Sequence, residues 1–308
     1  MSNDLTNQLN GSLRINQNAE IERLLAENKD LKRQLTGGSF GTASQIPYED
    51  LDVQDQIGGG GFAIVYRGTW KGTPVAIKKW FDPTATEQME QEFREEVMTL
   101  QSLRHPNVLQ FLGASMKQPN LCMVTEHMPH SLHGVLYTMK VDLDRKRIAA
   151  LMQDAARAFI YLHSRRPMII HRDIKPANFL VDRQWRVKVC DFGLASQNRS
   201  QAGAGTPAYM APELFEADKP YNEKVDVYAF GVMLNECMAK SPPFGGMGPG
   251  EIRSAVLAGK RPEVSLSAPK VISDVVTKCW AENAAERPSF EKVLDMLKDA
   301  ANKLETAL

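Results

Sequence analysis

Apolar positions along the chain fall into three successive regimes. Ile21, Leu24, Leu31 and Leu35 follow one another at helical spacing, with Asn28 at the seam position between Leu24 and Leu31. That is the a/d pattern of a heptad repeat with a polar residue at one a site. In this register Glu27 falls at g and Lys32 at e, so a parallel pair would set Glu27 of one copy against Lys32 of the other. The expectation is an N-terminal helix within residues 1–36, forming a short coiled-coil homodimer through residues 18–36. The alternative is a monomeric amphipathic helix, because so short a seam is marginal. The stretch "TGGSFGTASQ" then ends the periodicity, and residues 37–46 read as a flexible linker.

In the second regime, "DVQDQIGGGGFAIVYRGTWKGTPVAIKKWF" is rich in β-branched and aromatic residues with a turn at "KGT", which predicts consecutive antiparallel strands. "TEQMEQEFREEVMTLQSL" follows at helical spacing. From about residue 143 the pattern is mostly helical, interrupted by short β-prone pieces, "FLVD" and "VKVC". The predicted class is α+β: a small β-rich lobe with one main helix over 47–128, then a larger, mostly helical lobe over 129–302.

Composition narrows the function classes. The chain has 308 residues, 43% hydrophobic and 24% charged, enough for a globular core. Lys plus Arg equals Asp plus Glu at 37 each, so no net field favours nucleic acid or an anionic membrane. Cys122, Cys190, Cys237 and Cys279 lie far apart without metal-ligand spacing and read as free thiols. No apolar run reaches membrane-spanning length, and the start "MSNDLTNQLN" has neither signal-peptide regions nor the glycine that myristoylation needs. These features predict a cytoplasmic or nucleocytoplasmic protein with no nucleic-acid partner and no membrane insertion.

The chemistry-bearing motifs come in a fixed order. "IGGGGFAIV" carries Ile57, Gly58, Gly59, Gly60, Gly61 and Phe62, with Ala63 where a third patterned glycine would stand. A dinucleotide fingerprint needs a helix directly after the glycines, but here a strand pattern follows, and no Gly-Lys-Ser/Thr makes a Walker loop. What remains is a glycine hairpin whose N–H groups suit phosphates, or a simple flexible hairpin. "VAIK" then places Lys78 on a strand, and the next helix carries Glu96, with Glu92 and Glu95 as competing acids on its solvent side. An inward lysine is costly unless paired. "HRDIKPANF" and "CDFGLA" follow, and a short hairpin between them puts Asp191 near Asn178, oxygen donors suited to Mg²⁺.

This ordered set resembles the protein kinases over residues of about 51 to 300. The resemblance implies a two-lobed fold using ATP with Mg²⁺, or Mn²⁺, on protein substrates. Asp173 would orient the substrate hydroxyl, Lys175 would neutralise the transferred group, Asn178 and Asp191 would hold metal, and Lys78, fixed by Glu96, would meet the α- and β-phosphates. Adenine would lie between Val65 and Ala76 on one side and Leu180 on the other. Thr125 would stand at the gatekeeper position, and the backbones of Glu126 and Met128 would bond the adenine edge. Leu100, Phe111, His171 and Phe192 resemble the apolar column joining the lobes. Asp226 resembles the acid that braces the catalytic loop, and Glu213 should pair with Arg287.

Lys175 and "GTPAYMAPE" resemble serine/threonine kinases, while "LRHPNVLQFLGA", "VDVYAFGVMLNE" and "CWAENAAERPSF" resemble the tyrosine-kinase-like group with its Raf-like and mixed-lineage members. Arg172 before the catalytic acid implies a phosphate acceptor in the activation segment: Ser200 first, Ser196 second, with Thr206 more suited to bonding Asp173 and Lys175. Ala177 stands where many kinases of basic peptides carry glutamate, and His130 where glycine is common, so no strong preference for basic substrates is expected. Cys190 reads as a buried filler rather than a reactive thiol. The competing readings are a pseudokinase scaffold and a dual-specificity enzyme.

Overall fold

The computed structural model describes residues 44–60, 63–80, 87–195, 204–216 and 219–306. The heptad seam, most of the linker, Gly61, Phe62, Ser196 and Ser200 lie outside the described residues. Contacts divide the chain between Ile46 and Pro47.

Its first part is an antiparallel sheet of β1 (Leu51–Gly60), β2 (Ala63–Trp70), β3 (Thr73–Trp80), β4 (Phe111–Ser115) and β5 (Cys122–Glu126), in the order β1-β2-β3-β5-β4. The β2–β3 turn is made by Lys71 and Gly72, both at positive φ, as a tight hairpin needs. Gly68 lets β1 approach closely, since a Cβ there would stand 2.4 Å from the Asp52 carbonyl oxygen. Helix α1 (Glu87–Gln101) lies against this sheet and buries Phe93, Glu96, Val97 and Leu100, one face at helical spacing.

The second part holds a small sheet of β6 (His130–Ser131), β7 (Phe179–Val181) and β8 (Val187–Val189), with helices α2 (Arg145–Ser164), α3 (Lys224–Ala239), α4 (Pro249–Leu257), α5 (Lys270–Cys279) and α6 (Phe290–Thr306). The expected α+β, two-lobed arrangement is therefore present. Asp144 caps α2 by accepting from Arg147 N at 2.7 Å, a contact type worth about 1 kcal/mol. Phe159 of α2 stacks on Phe290 of α6 at 4.8 Å and meets His171 at 6.0 Å and Phe179 at 6.2 Å, so one aromatic cluster supports the loop before β7.

Helix α3 shows no polar stripe, because every residue from Val225 to Met238 is buried. A helix apolar all round belongs in a core, and each polar side chain on it then needs a partner. Asn235 donates to the Glu263 carbonyl at 2.8 Å and accepts from Ser265 N at 2.9 Å. Asp226 and Glu236 find theirs as described below, while the Tyr228 hydroxyl has no hydrogen-bond partner among the described residues. Gly231 permits close packing with α5, since a Cβ would lie 2.6 Å from that of Cys279.

Candidate active site

The glycine-bearing strands form one wall, with Gly58 paired to Val65 and Gly60 to Ala63, while Ile57 is largely exposed. On β3, Ala76 pairs with Thr125 of β5, and Lys78 with Met123. Thr125 is buried and donates to the Glu126 carbonyl at 3.2 Å, and Met128 is buried just beyond. Leu180 lies in the middle of β7, opposite Lys188. The Glu126 side chain accepts from Gln110 N at 2.8 Å and from Lys188 Nζ at 2.7 Å, tying β5 to β8.

Lys78 Nζ lies 2.8 Å from Glu96 Oε1 and 3.1 Å from Asp191 Oδ1. Of the three candidate acids on α1, Glu92, Glu95 and Glu96, only Glu96 is buried, and Glu92 is exposed. Burial by itself would lower the Lys78 ammonium, but Glu96 and Asp191 outweigh it and hold it above its ordinary value. Burial raises the Glu96 carboxyl against the pull of Lys78. At Asp191 burial acts upward, and the charge and hydrogen bond of Lys78 overcome it to leave the carboxyl low. A desolvated lysine between two carboxylates is positioned for an anionic ligand.

Asp173 sits at the centre of a second constellation. Its carboxylate accepts from Thr206 Oγ1 at 2.8 Å and from Asn178 Nδ2 at 3.0 Å, and pairs with Lys175 Nζ at 2.6 Å. Lys175 also donates to Thr206 Oγ1 at 3.0 Å, so that hydroxyl is engaged on both sides. This bonding favours a structural role for Thr206 over that of a phosphate acceptor. Asn178 Nδ2 further donates to the Asp173 carbonyl at 2.8 Å, and Cys190 N donates to the Asn178 carbonyl at 3.0 Å, which brings the residue before Asp191 beside Asn178. The donor set suits a hard divalent cation: the amide nitrogen of Asn178 is consumed by Asp173, which turns its oxygen away, and Asp191 has a second carboxylate oxygen beyond the one on Lys78.

The loop is held from beneath. Asp226 accepts from His171 N and Arg172 N, each at 2.9 Å, and lies 2.9 Å from His163 Nε2. Arg172 and Asp191 both occupy the left-handed region, at φ 66° and 63°, a conformation costing about 1–2 kcal/mol for a side-chain-bearing residue. Asp226 and Lys78 are the contacts that maintain it. Leu100, Phe111, His171 and Phe192 are all buried, and the last two rings stand 5.2 Å apart. Arg172 donates through Nε to the Leu194 carbonyl at 2.6 Å and through Nη1 to the Tyr221 hydroxyl at 2.9 Å. Cys190 is half-buried rather than fully buried as expected, and desolvation pushes its thiol up. A cavity of about 680 Å³ is lined by Pro212, Tyr221, Asn222 and Glu286 and not by Lys78, Asp173, Asn178 or Asp191.

One cluster went unread in the sequence. Glu236, buried on α3, accepts from Tyr137 Oη at 2.6 Å and from Tyr209 Oη at 2.8 Å. An acid inside the apolar run "VMLNECM" was the available signal. Burial pushes its carboxyl up to about 7, with the two tyrosines opposing. A carboxyl raised from 4.5 in this way binds its proton more tightly folded than unfolded, so stability is lost as pH rises from about 4.5 to about 7. Thermal melting between pH 5 and 8 should show wild type falling relative to Glu236→Gln, by about 2 kcal/mol; parallel curves would contradict the assignment.

Comparison with known proteins agrees with this geometry. Residues 51–297 match the family described as protein tyrosine and serine/threonine kinase. The chain is 41% identical over 261 residues to a probable serine/threonine-protein kinase, SIS8, of Arabidopsis thaliana, covering 82% of this chain and 25% of that one. It is 38% identical to the serine/threonine-protein kinase CTR1 of the same plant, over 85% and 33% of the two chains, and 38% identical to a probable serine/threonine-protein kinase, drkB, of Dictyostelium discoideum, over 83% and 38%. This chain thus spans less than half the length of each of these relatives. With the matched region covering most of the residues, the chain belongs to the protein tyrosine and serine/threonine kinase family.

Proposed function

We propose that this chain is a serine/threonine kinase that transfers the γ-phosphoryl group of ATP to hydroxyls of protein substrates. The observation carrying this reading is Lys78 bridging Glu96 and Asp191, which aligns β3, α1 and the segment after β8 around one anionic position. ATP and a divalent ion are what the family uses in general; here the ion is Mg²⁺ or Mn²⁺. Bound between Asp191 and Asn178, it would neutralise phosphate charge. The chain's own groups do the rest. Lys78 orients the α- and β-phosphates, and the glycine strands Ile57–Gly60 with Ala63 cover them. Asp173 takes the proton of the incoming hydroxyl, and Lys175 stands ready for charge on the transferred group.

Four details extend the reading. The adenine is held by Val65, Ala76, Leu180 and the backbones of Glu126 and Met128, with Thr125 behind it. Residues 47–302 act as the catalytic domain, preceded by a linker and by a helix that pairs two copies through residues 18–36. Pairing raises the local concentration of one active site near another's Ser200 or Ser196. Location is cytoplasmic or nucleocytoplasmic; no described helix is long and apolar enough to cross a membrane.

Incubation of the full chain with Mg²⁺ and ATP, followed by intact mass and phosphoamino-acid analysis, tests the reading. Phosphoserine and phosphothreonine are the expected products. Phosphotyrosine in comparable amount would favour a dual-specificity enzyme instead, and no incorporation would favour a scaffold.

A further inference from the structure

Trp80 ends β3 two residues after Lys78, so both side chains leave the strand on one face. Lys78 Nζ stands over the indole, 4.8 Å from its centroid. The same ring packs edge-on with Phe93 of α1, centroids 4.8 Å apart and planes at 67°. Phe93 lies one helical turn before Glu96 and is 1% exposed, so its position and that of Glu96 move together. Trp80 itself is fixed by donating its backbone N–H to the Leu121 carbonyl at 3.0 Å and by pairing with Ala63 at the end of the glycine strands.

We propose that Trp80 is a positioning residue for the Lys78–Glu96 pair: its face holds the ammonium while its contact with Phe93 fixes the helix that carries the carboxylate. The inference rests on the reading of Lys78 as the phosphate-orienting lysine. Glu96 and Asp191 each hold Lys78 by a hydrogen bond, which leaves the third ammonium proton for a phosphate oxygen. The aromatic face does not compete with an anion, so it remains as a fixed surface against which the ammonium can turn toward a ligand. A lysine over an indole prefers the negative face of the ring quadrupole, and the strength of that preference depends on ring electronics rather than on ring shape.

That dependence separates positioning from packing. Site-specific replacement of Trp80 by mono-, di- and trifluorinated tryptophan in the full chain keeps the shape and removes the quadrupole stepwise. The expected result is a stepwise fall in kcat/KM for ATP reaching about tenfold, carried more by kcat than by KM because misplacement is felt in the transfer step. Trp80→Leu should show the full loss and Trp80→Phe a partial one, with melting temperatures of the fluorinated chains unchanged. A flat fluorinated series, whatever Trp80→Leu does, would reduce Trp80 to a packing residue and overturn the proposal. Lys78→Met is measured alongside: retention of wild-type transfer by that variant would remove the lysine reading itself, independently of the fluorinated series.

Discussion

Asp173→Asn should lower kcat for phosphoryl transfer by about 10²–10⁴, the range supplied by one positioned general base, while ATP affinity stays within about twofold. The substitution keeps shape and removes the charge and the proton-accepting lone pairs. Asp173 has one strong cationic partner, Lys175 at 2.6 Å, and two neutral donors, Thr206 and Asn178. An amide in its place still accepts from Thr206 through its oxygen, so the loop's shape should persist. Its nitrogen, however, then faces Lys175 and Asn178, both donors, and neither can answer it. The loss should therefore appear in kcat rather than in KM for ATP, because the lysine proposed to meet phosphate is Lys78, on β3. Steady-state kinetics together with intact mass after incubation with ATP check this. Equal phosphate incorporation by wild type and variant would remove Asp173 from the mechanism.

The sequence disclosed those parts of the molecule whose chemistry is local. Glycines before a β-branched run, a lysine on the next strand and an acid on the following helix are read within a span of forty residues. The structure bonds that lysine to that acid, and also to Asp191. "HRDIKPANF" was legible for the same reason, since Asp173 and Asn178 are five residues apart and bonded directly. Asp226 and Glu213 became readable through the resemblance rather than through any spacing rule, because their partners stand 55 and 74 residues away.

What stayed hidden depends on contacts between distant residues of unremarkable type. Glu236 draws Tyr137 from 99 residues earlier and Tyr209 from 27 residues earlier, and neither tyrosine sits in a pattern that announces a partner. Trp80 reads as an ordinary strand residue until Phe93 and Lys78 are placed on either side of it. Arg172 pointed toward an activation-segment phosphate; in the structure its guanidinium meets the Leu194 carbonyl and the Tyr221 hydroxyl, groups that carry no charge signal in a sequence. The left-handed backbone at Arg172 and Asp191 was equally unreadable, since Arg does not favour it and Asp, which enters it more readily, does so at few of its positions.

Glu213→Ala should destabilise the domain by about 3–5 kcal/mol, the cost of leaving a buried charge without its partner. Arg287 is 1% exposed and meets Glu213 bidentately, Nη1 to Oε1 at 2.6 Å and Nη2 to Oε2 at 3.0 Å. The guanidinium also donates to the carbonyls of Ala281, Glu282 and Lys224 and lies 5.1 Å from the Tyr228 ring centroid. Those contacts make the pair asymmetric. Removing the acid strands a cation that its remaining partners, all neutral, cannot discharge. Removing the arginine by Arg287→Met strands an acid and also three carbonyls, and should cost at least as much. The double variant Glu213→Leu/Arg287→Met loses both charges together, so it should be less destabilised than the sum of the single changes, yet the abandoned carbonyls should keep it below wild type. Urea unfolding of the four chains measures the coupling, and additive losses would show that the two residues act independently. Glu213 lies seven residues after Thr206 in the segment that reaches Asp173, so a weakened pair should reduce the active fraction on warming. Below the transition, kcat per folded molecule should be retained. Asp173→Asn should give the reverse, a smaller loss of stability with little transfer, and together the two separate the group proposed to perform chemistry from the pair that holds its support.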